Sequence, residues 1–68
     1  MRILGIDPGY AILGWGVIDV RGNRFSVVDY GSLTTEPSMD MPSRLQSLYG
    51  SLRELIERYS PDEASVEE

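Results

Sequence analysis

The sequence predicts an α/β fold in which a three-stranded antiparallel meander is followed by an amphipathic helix and a fourth strand parallel to the first. Three observations support this. Short apolar segments separated by glycine-containing turns occupy residues 3–33, apolar side chains at helical spacing cover residues 43–59, and a last β-like segment follows Pro61. Strands joined by tight turns are antiparallel, whereas a helical crossover returns the chain as a parallel strand. With 68 residues, the chain can form one small domain at most.

Residues 3–9 read Ile-Leu-Gly-Ile-Asp-Pro-Gly and predict a buried strand that ends at an aspartate. Near-continuous apolar runs are typical of strands that are covered on both faces. Pro8 keeps Asp7 extended, and we expect Gly9 to take a positive φ as the chain turns back. Because aspartate before Pro-Gly is also a common way to start a turn, this segment alone is equally compatible with a purely structural Asp7.

The second strand is predicted over residues 12–20, and its two faces differ in character. Gly14 and Gly16 leave a bare strip of backbone on one face. Glycine inside a strand often marks close approach of another element or of a ligand. We expect a helix to pack over this strip, in preference to direct contact with a substrate. The opposite face carries Leu13, Trp15 and Val17.

A hairpin joins the second strand to the third. Arg-Gly-Asn-Arg at residues 21–24 fits a two-residue turn between two apolar alternating segments. The third strand then covers residues 25–33. Strict alternation predicts that its two faces carry Val28 and Tyr30 on one side, and Phe25, Val27 and Leu33 on the other.

A helix is predicted from about Ser43 to Tyr59, after a polar loop over residues 34–41. Pro42 fits the first helical turn, where its missing N–H donor costs little. Pro61 and Asp62 end the helix, and residues 63–68 start the fourth strand. Seven apolar residues follow helical spacing, and we expect all of them to face the core: Leu45, Leu48, Tyr49, Leu52, Leu55, Ile56 and Tyr59.

Composition and charge limit the classes of function. The chain has no cysteine, which rules out a disulfide or a thiolate metal site and is compatible with a reducing cytoplasm. No apolar run approaches the ~20 residues of a membrane span, and the signal-peptide pattern is missing, so we expect a soluble, cytoplasmic protein. A formal net charge of −5 disfavours a free-standing nucleic-acid binder, although all six basic residues are Arg, which suits bidentate phosphate contacts.

Asp7 and Glu67 are the candidate catalytic and metal-binding residues. If the fourth strand lies beside the first, both carboxylates are at the same end of strands about 4.8 Å apart. Two carboxylates at about 5 Å repel by roughly 3 kcal/mol at an effective dielectric near 20, and protonation or a cation relieves that repulsion. Mg²⁺ typically binds one or two carboxylates plus a substrate phosphate, and such sites support phosphodiester hydrolysis. Glu68 is a weaker candidate, because alternation turns it away from Glu67.

Several motifs follow one another in a fixed order along the chain. They are the segment at residues 3–9, Gly-Trp-Gly-Val-Ile at 14–18, Pro-Ser-Arg-Leu at 42–45, Pro-Asp at 61–62 and Val-Glu at 66–67. Together they resemble the amino-terminal part of the RuvC Holliday junction resolvase family. The resemblance implies an RNase H-like fold, in which Asp7 matches the first-strand catalytic carboxylate of the family and Glu67 matches the fourth-strand one.

The same resemblance implies that the protein cleaves four-way junction DNA in recombination and repair, with Mg²⁺ or Mn²⁺ as cofactor. It also implies a homodimer that cooperates with the branch-migration proteins RuvA and RuvB. Family members continue well beyond Glu67 and carry two more metal-binding carboxylates on a late helix. We therefore expect residues 1–68 to be the amino-terminal part of a single nuclease domain, with half of the active site and no activity alone.

Three other interpretations are open at this point. A YqgF-like RNA-processing nuclease shares the Asp-Pro-Gly strand, although the Pro-Ser-Arg-Leu helix start favours the resolvase. A phosphotransferase or chaperone ATPase would need a Gly-Thr or Gly-Ser turn, and residues 8–11 offer only a distant tyrosine hydroxyl. The third is a non-catalytic fragment that associates with itself through an exposed strand edge and an uncovered helix.

Overall fold

The computed structural model describes residues 1–9 and 12–67, which form one sheet and one helix. The sheet has the strand order β3-β2-β1-β4, with β1 antiparallel to β2 and parallel to β4. This confirms the predicted meander, crossover helix and parallel fourth strand, and makes β1 an inner strand. In chain order the elements are β1 (Arg2–Pro8), β2 (Ile12–Arg21), β3 (Arg24–Thr34), α1 (Met41–Tyr59) and β4 (Glu63–Val66).

The hydrophobic core lies between one face of the sheet and α1. Leu4 of β1 pairs with Val17 of β2, and both side chains are fully buried. Leu13 of β2 and Leu55 of α1 are the other buried apolar side chains among the described residues. Burying a side chain of this size contributes about 1.5–3 kcal/mol, so each of these four residues accounts for a large share of the stability.

The two predicted turns need glycine for different reasons. Gly22 has φ +61° in the hairpin turn between β2 and β3, as the Gly-Asn signal predicted. The prediction of a positive φ for Gly9 is wrong, since Gly22 is the one glycine of the described ranges in that region. Gly9 is required by space instead: a Cβ there would lie 2.7 Å from the carbonyl oxygen of Ile12.

A β-bulge in β3 overturns the predicted faces of that strand. Val17 pairs with Asp29 and Ile18 pairs with Val27, so Val28 is an extra residue in the ladder. An extra residue shifts every later side chain to the opposite face. Tyr30, which pairs with Gly16, therefore shares a face with Val27 and Phe25, whereas strict alternation predicted opposite faces.

Helix α1 begins two residues before the predicted start. Asp40 caps it, accepting hydrogen bonds from the backbone N–H of Ser43 at 3.2 Å and from the Ser43 hydroxyl at 2.7 Å. Pro42 lies in the first turn, as predicted. The helix ends at Tyr59, and Ser60 follows in the left-handed region with φ 47°. The described part of the chain contains no α-helix with the length and hydropathy that a bilayer crossing requires.

The apolar stripe of α1 separates into a packed row and an exposed row. Leu55 is buried and Leu48, Leu52 and Tyr59 are half-buried, and the ring of Tyr59 lies 6.0 Å from that of Trp15 in β2. The prediction that all seven residues face the core is wrong for three of them, because the stripe is wider than the contact that one sheet makes with one helix. The exposed row consists of Leu45, Tyr49 and Ile56, with exposed fractions of 59%, 68% and 49%.

Two glycine substitutions should change stability in opposite directions. A Cβ on Gly31 would lie 3.0 Å from Cζ2 of Trp15, so Gly31→Ala should lower the free energy of unfolding by about 1–3 kcal/mol through overpacking. Gly50 is inside α1 with nothing within 4 Å of an added Cβ. Gly50→Ala should therefore raise the free energy of unfolding by roughly 0.5–1 kcal/mol. Urea unfolding followed by the fluorescence of Trp15, the single tryptophan, measures both, and equal midpoints would contradict the prediction.

Acid should weaken the fold partly through Asp19. The guanidinium of Arg2 donates hydrogen bonds to both carboxylate oxygens of Asp19, at 2.8 and 3.1 Å, and this holds the pKa of Asp19 below its ordinary value of 3.8. The stabilisation from the Arg2–Asp19 pair is therefore present above the ordinary pKa of Asp19. It is lost as the pH falls through the lower pKa that Asp19 has in the folded state. The urea midpoint should begin to fall as the pH drops toward 3.8 and should continue to fall below it. Asp19→Asn should show a smaller drop, and an unchanged acid dependence in this variant would be evidence against the pair.

Candidate active site

Asp7 lies near the end of β1 with an exposed side chain. It pairs with Gly14 of β2, and a Cβ on Gly14 would lie 3.8 Å from the Cβ of Asp7. The glycine therefore leaves the space beside the aspartate free of side-chain atoms. Because β1 is an inner strand, its end has neighbours on both sides that can contribute to a site around this carboxylate.

Glu67 comes directly after β4 and is held against β1. Its backbone N–H donates to the carbonyl oxygen of Ile6 at 2.9 Å, which continues the parallel pairing beyond the last paired residues, Ile6 and Val66. Ser65 pairs with Gly5, so alternation places Glu67 on the same face as Gly5 and Asp7. The structure thus brings the two candidate carboxylates to the same end of adjacent strands. The weaker candidate, Glu68, lies outside the described residues.

An open groove of about 610 Å³ joins the two carboxylates on the sheet face opposite to α1. Asp7 and Glu67 both line it, and its floor includes the backbone of Gly14 and Gly16. These glycines let another molecule approach the sheet backbone closely next to the acidic groups. The groove therefore combines two carboxylates with accessible glycine backbone and with apolar side chains such as Ile3 and Ile18.

The prediction that a helix packs over Gly14 and Gly16 is wrong for the part of the chain that the structure describes. Helix α1 lies on the other face, against Trp15 and the buried Val17. The physical reason is that the face with large apolar side chains gains more from being covered than the glycine face does. In residues 1–9 and 12–67, the strip is part of the groove instead.

The two carboxylates fit part of a site for a hard divalent cation. Asp7 and Glu67 offer oxygen ligands, which Mg²⁺ prefers, and both are accessible from the groove. Across the described ranges there is no cluster of three or more His, Cys, Asp or Glu side chains that could enclose a metal. The described residues would therefore provide at most these two carboxylates to a metal ion, and water, a substrate phosphate or further protein groups would have to complete the coordination.

Ser65 is a groove residue that sequence reasoning missed. It lines the groove with Asp7 and Glu67, and its hydroxyl can both donate and accept hydrogen bonds. Alternation along β4 was the signal that could have identified it, because Ser65 and Glu67 are two residues apart. Glu63 belongs to the same alternating set but pairs with Ile3 at the far end of β1, about 13 Å from Glu67 along the strand.

Solved structures identify the class of protein. A Thermus thermophilus RuvC structure matches 100% of this chain and 45% of its own chain, with a TM-score of 0.90 and 30% sequence identity. The structure of T. thermophilus RuvC in complex with Holliday junction substrate matches 100% of this chain and 44% of its own, with a TM-score of 0.90 and 29% identity. The fold is RNase H-like, as the sequence resemblance implied.

Sequence comparisons then identify the family. The family described as crossover junction endodeoxyribonuclease RuvC matches residues 3–68. Curated proteins of that name from Alkaliphilus oremlandii and Chloroflexus aggregans are 53% and 54% identical to this chain over 68 residues. The chain belongs to the RuvC family of crossover junction endodeoxyribonucleases. These matches cover 100% of this chain and 42% of the length of each of these relatives.

Proposed function

We propose that this chain is the amino-terminal part of a single nuclease domain that resolves four-way DNA junctions with the help of a divalent metal ion. The observation that carries the proposal is the groove shared by Asp7 and Glu67 in a member of the RuvC family. The neighbouring solved structure with a Holliday junction substrate supports the choice of junction DNA. Family membership favours the resolvase over the YqgF-like nuclease and the ATP-dependent enzymes.

Asp7 and Glu67 would bind Mg²⁺ or Mn²⁺ in the proposed site. When bound, such an ion polarises a phosphoryl oxygen and makes a water molecule more acidic. The two carboxylates would fix the ion at the end of β1 and β4, while the bare backbone at Gly14 and Gly16 admits a phosphodiester close to the sheet. The hydroxyl of Ser65 is available to donate a hydrogen bond to a phosphate oxygen.

The remaining parts of the proposal concern the whole protein. Because the chain spans 42% of its relatives, residues beyond the matching segment would supply the other metal ligands and most phosphate contacts, which accounts for a net charge of −5 in this part. A homodimer would place two such sites on one junction and would allow both strands to be cut. RuvA and RuvB are the proposed branch-migration partners, and the cytoplasm is the proposed compartment.

A chimera tests this function. Residues 1–68 replace the matching segment of the A. oremlandii relative, and the purified chimera is incubated with a synthetic four-way junction and Mg²⁺. We expect symmetric nicks in the junction, none after chelation of the metal, and none in a linear duplex of the same sequence. Residues 1–68 alone should not cut. A folded chimera that leaves the junction intact, or that cuts the linear duplex equally fast, would contradict the proposal.

A second candidate is a non-catalytic chain that associates with itself. The exposed row of α1 favours it, together with the exposed side chains of Phe25, Val27 and Tyr30 on β3. Apolar surface of this kind and unpaired strand edges promote association. Sedimentation equilibrium of residues 1–68 distinguishes the candidates, because a stable monomer at micromolar concentration would exclude self-association as the function.

A further inference from the structure

The position of Glu67 depends on the register between β4 and β1, and that register has little support from β4 itself. All four residues of β4 are exposed within residues 1–9 and 12–67, so no contact inside this part of the protein fixes a β4 side chain by burial. Register is weakly specified in strands that bury neither face, and a slip of one residue turns every side chain to the opposite face. Such a slip would move Glu67 out of the groove that contains Asp7.

Asp62 provides the missing constraint at the start of β4. Its backbone N–H donates to the carbonyl oxygen of Arg2 at 2.8 Å, and the backbone N–H of Arg2 donates to Oδ2 of Asp62 at 2.7 Å. This reciprocal pair of hydrogen bonds uses both backbone polar groups of Arg2. It can form only when Asp62 is opposite Arg2, which sets Ile3 against Glu63 and each following pair in turn.

The side chain of Arg2 fixes this anchor to the rest of the fold. Its guanidinium donates to both carboxylate oxygens of Asp19 in β2, and Nη1 donates to the carbonyl oxygen of Tyr59, the last residue of α1, at 2.9 Å. One residue of β1 is thereby bonded to β2, to the end of α1 and to the residue that precedes β4. The connection of three residues between α1 and β4 is held at both ends.

We propose that Asp62 and Arg2 are positioning residues that set the register of β4 and thereby place Glu67 beside Asp7. The inference rests on the proposed function, since it assigns a purpose to the position of Glu67 in the metal site. Glu67 is five positions after Asp62, so the anchor acts over roughly 16 Å along the strand without contacting metal or DNA. Residue 62 needs a side-chain oxygen at this position as a hydrogen-bond acceptor, and its charge is secondary.

Substitutions of Asp62 in the chimera test this inference. Asp62→Ala should raise the Mg²⁺ concentration for half-maximal cleavage by about 10- to 100-fold, the range seen when a residue that orients a metal ligand is lost. Asp62→Asn keeps an oxygen acceptor for the N–H of Arg2 and should restore the Mg²⁺ midpoint to within a few-fold of the parent. Glu63→Ala, one residue further on, is the matched control and should leave the midpoint unchanged.

Amide hydrogen exchange measures the register separately from activity. The amide of Glu67 should be protected in the parent and in Asp62→Asn, and should exchange faster in Asp62→Ala, while the amides of the β2–β3 ladder stay protected. If Asp62→Ala also loses the β2–β3 protection, Asp62→Glu is the second variant, because it keeps the charge but displaces the acceptor by one methylene. It should lower the protection of Glu67 alone.

These measurements distinguish a role of Asp62 in setting the register of β4 from a role of its charge. An unchanged Mg²⁺ midpoint in Asp62→Ala would overturn the inference. So would a defect in Asp62→Asn as large as in Asp62→Ala, or unchanged protection of Glu67 in the alanine or glutamate variant. Failure of the parent chimera to cleave junctions would overturn the proposed function alone, because the exchange of the Glu67 amide reports the register whether or not DNA is cut.

Discussion

Asp7→Asn in the chimera should abolish junction cleavage and leave junction binding intact. Asparagine has nearly the same shape as aspartate but lacks the charge, so the substitution would weaken the proposed metal site without opening a cavity in the sheet. Asp7 is exposed and pairs with a glycine, and no described side chain depends on it for packing. We expect cleavage to fall by at least the roughly 10²- to 10³-fold typical of losing one preorganised electrostatic contact at a reacting centre.

Glu67→Gln should have an effect of similar size, and the double variant should be little worse than either single variant. Residues that act as one unit show strongly non-additive effects, because removing either one disables the same site. Glu63→Gln is the control, since it changes an acidic side chain on the same face of the same strand at the far end of β1. Single-turnover cleavage and gel-shift binding provide the two readouts. Full activity in Asp7→Asn, or additive losses in the double variant, would contradict a shared metal site.

Leu4→Ala should cause the largest loss of stability. The Leu4 side chain is 1% exposed and packs in the small core that four apolar residues form among the described residues. Replacing a buried leucine with alanine typically costs about 2–5 kcal/mol, through lost burial and the cavity left behind. Small domains have only about 5–15 kcal/mol of stability in total, so this variant should unfold at much lower urea concentration.

Leu45→Ala is the matched control for the core prediction. It makes the same chemical change at a side chain that is 59% exposed on α1, where we expect an effect within about 0.5 kcal/mol. Urea titration of residues 1–68, followed by the fluorescence of Trp15, measures both variants. Similar losses at Leu4 and Leu45 would show that the exposed row of α1 is covered, for example by a second copy of the chain.

The sequence predicted the order and direction of the elements because local patterns specify them. Alternating apolar segments, the Gly-Asn turn and helical spacing each depend on residues close in the chain. The crossover rule then placed β4 parallel to β1 and brought Asp7 and Glu67 to the same end. The identity of the two candidate site residues could therefore be proposed before their positions were known, from strand direction and from the family resemblance.

The errors arose where the outcome depends on tertiary packing. Nothing in the local sequence marks the bulge at Val28, which reverses the predicted faces of β3. The side of the sheet that α1 covers is decided by the competition between the glycine face and the face of Trp15 and Val17. The anchoring of β4 by Asp62 could not be predicted either, because its partner, Arg2, is sixty positions away in the chain.

Paramagnetic broadening by Mn²⁺ most directly tests whether Asp7 and Glu67 bind one divalent ion together. Substoichiometric Mn²⁺ is added to the isotope-labelled chimera, and the loss of amide signals is followed residue by residue. We expect the signals of Asp7, Gly14 and Glu67 to broaden first, and to be retained in Asp7→Asn at the same Mn²⁺ concentration. First broadening at another acidic segment, such as residues 36–40, with the Asp7 and Glu67 signals unaffected, would contradict the shared site.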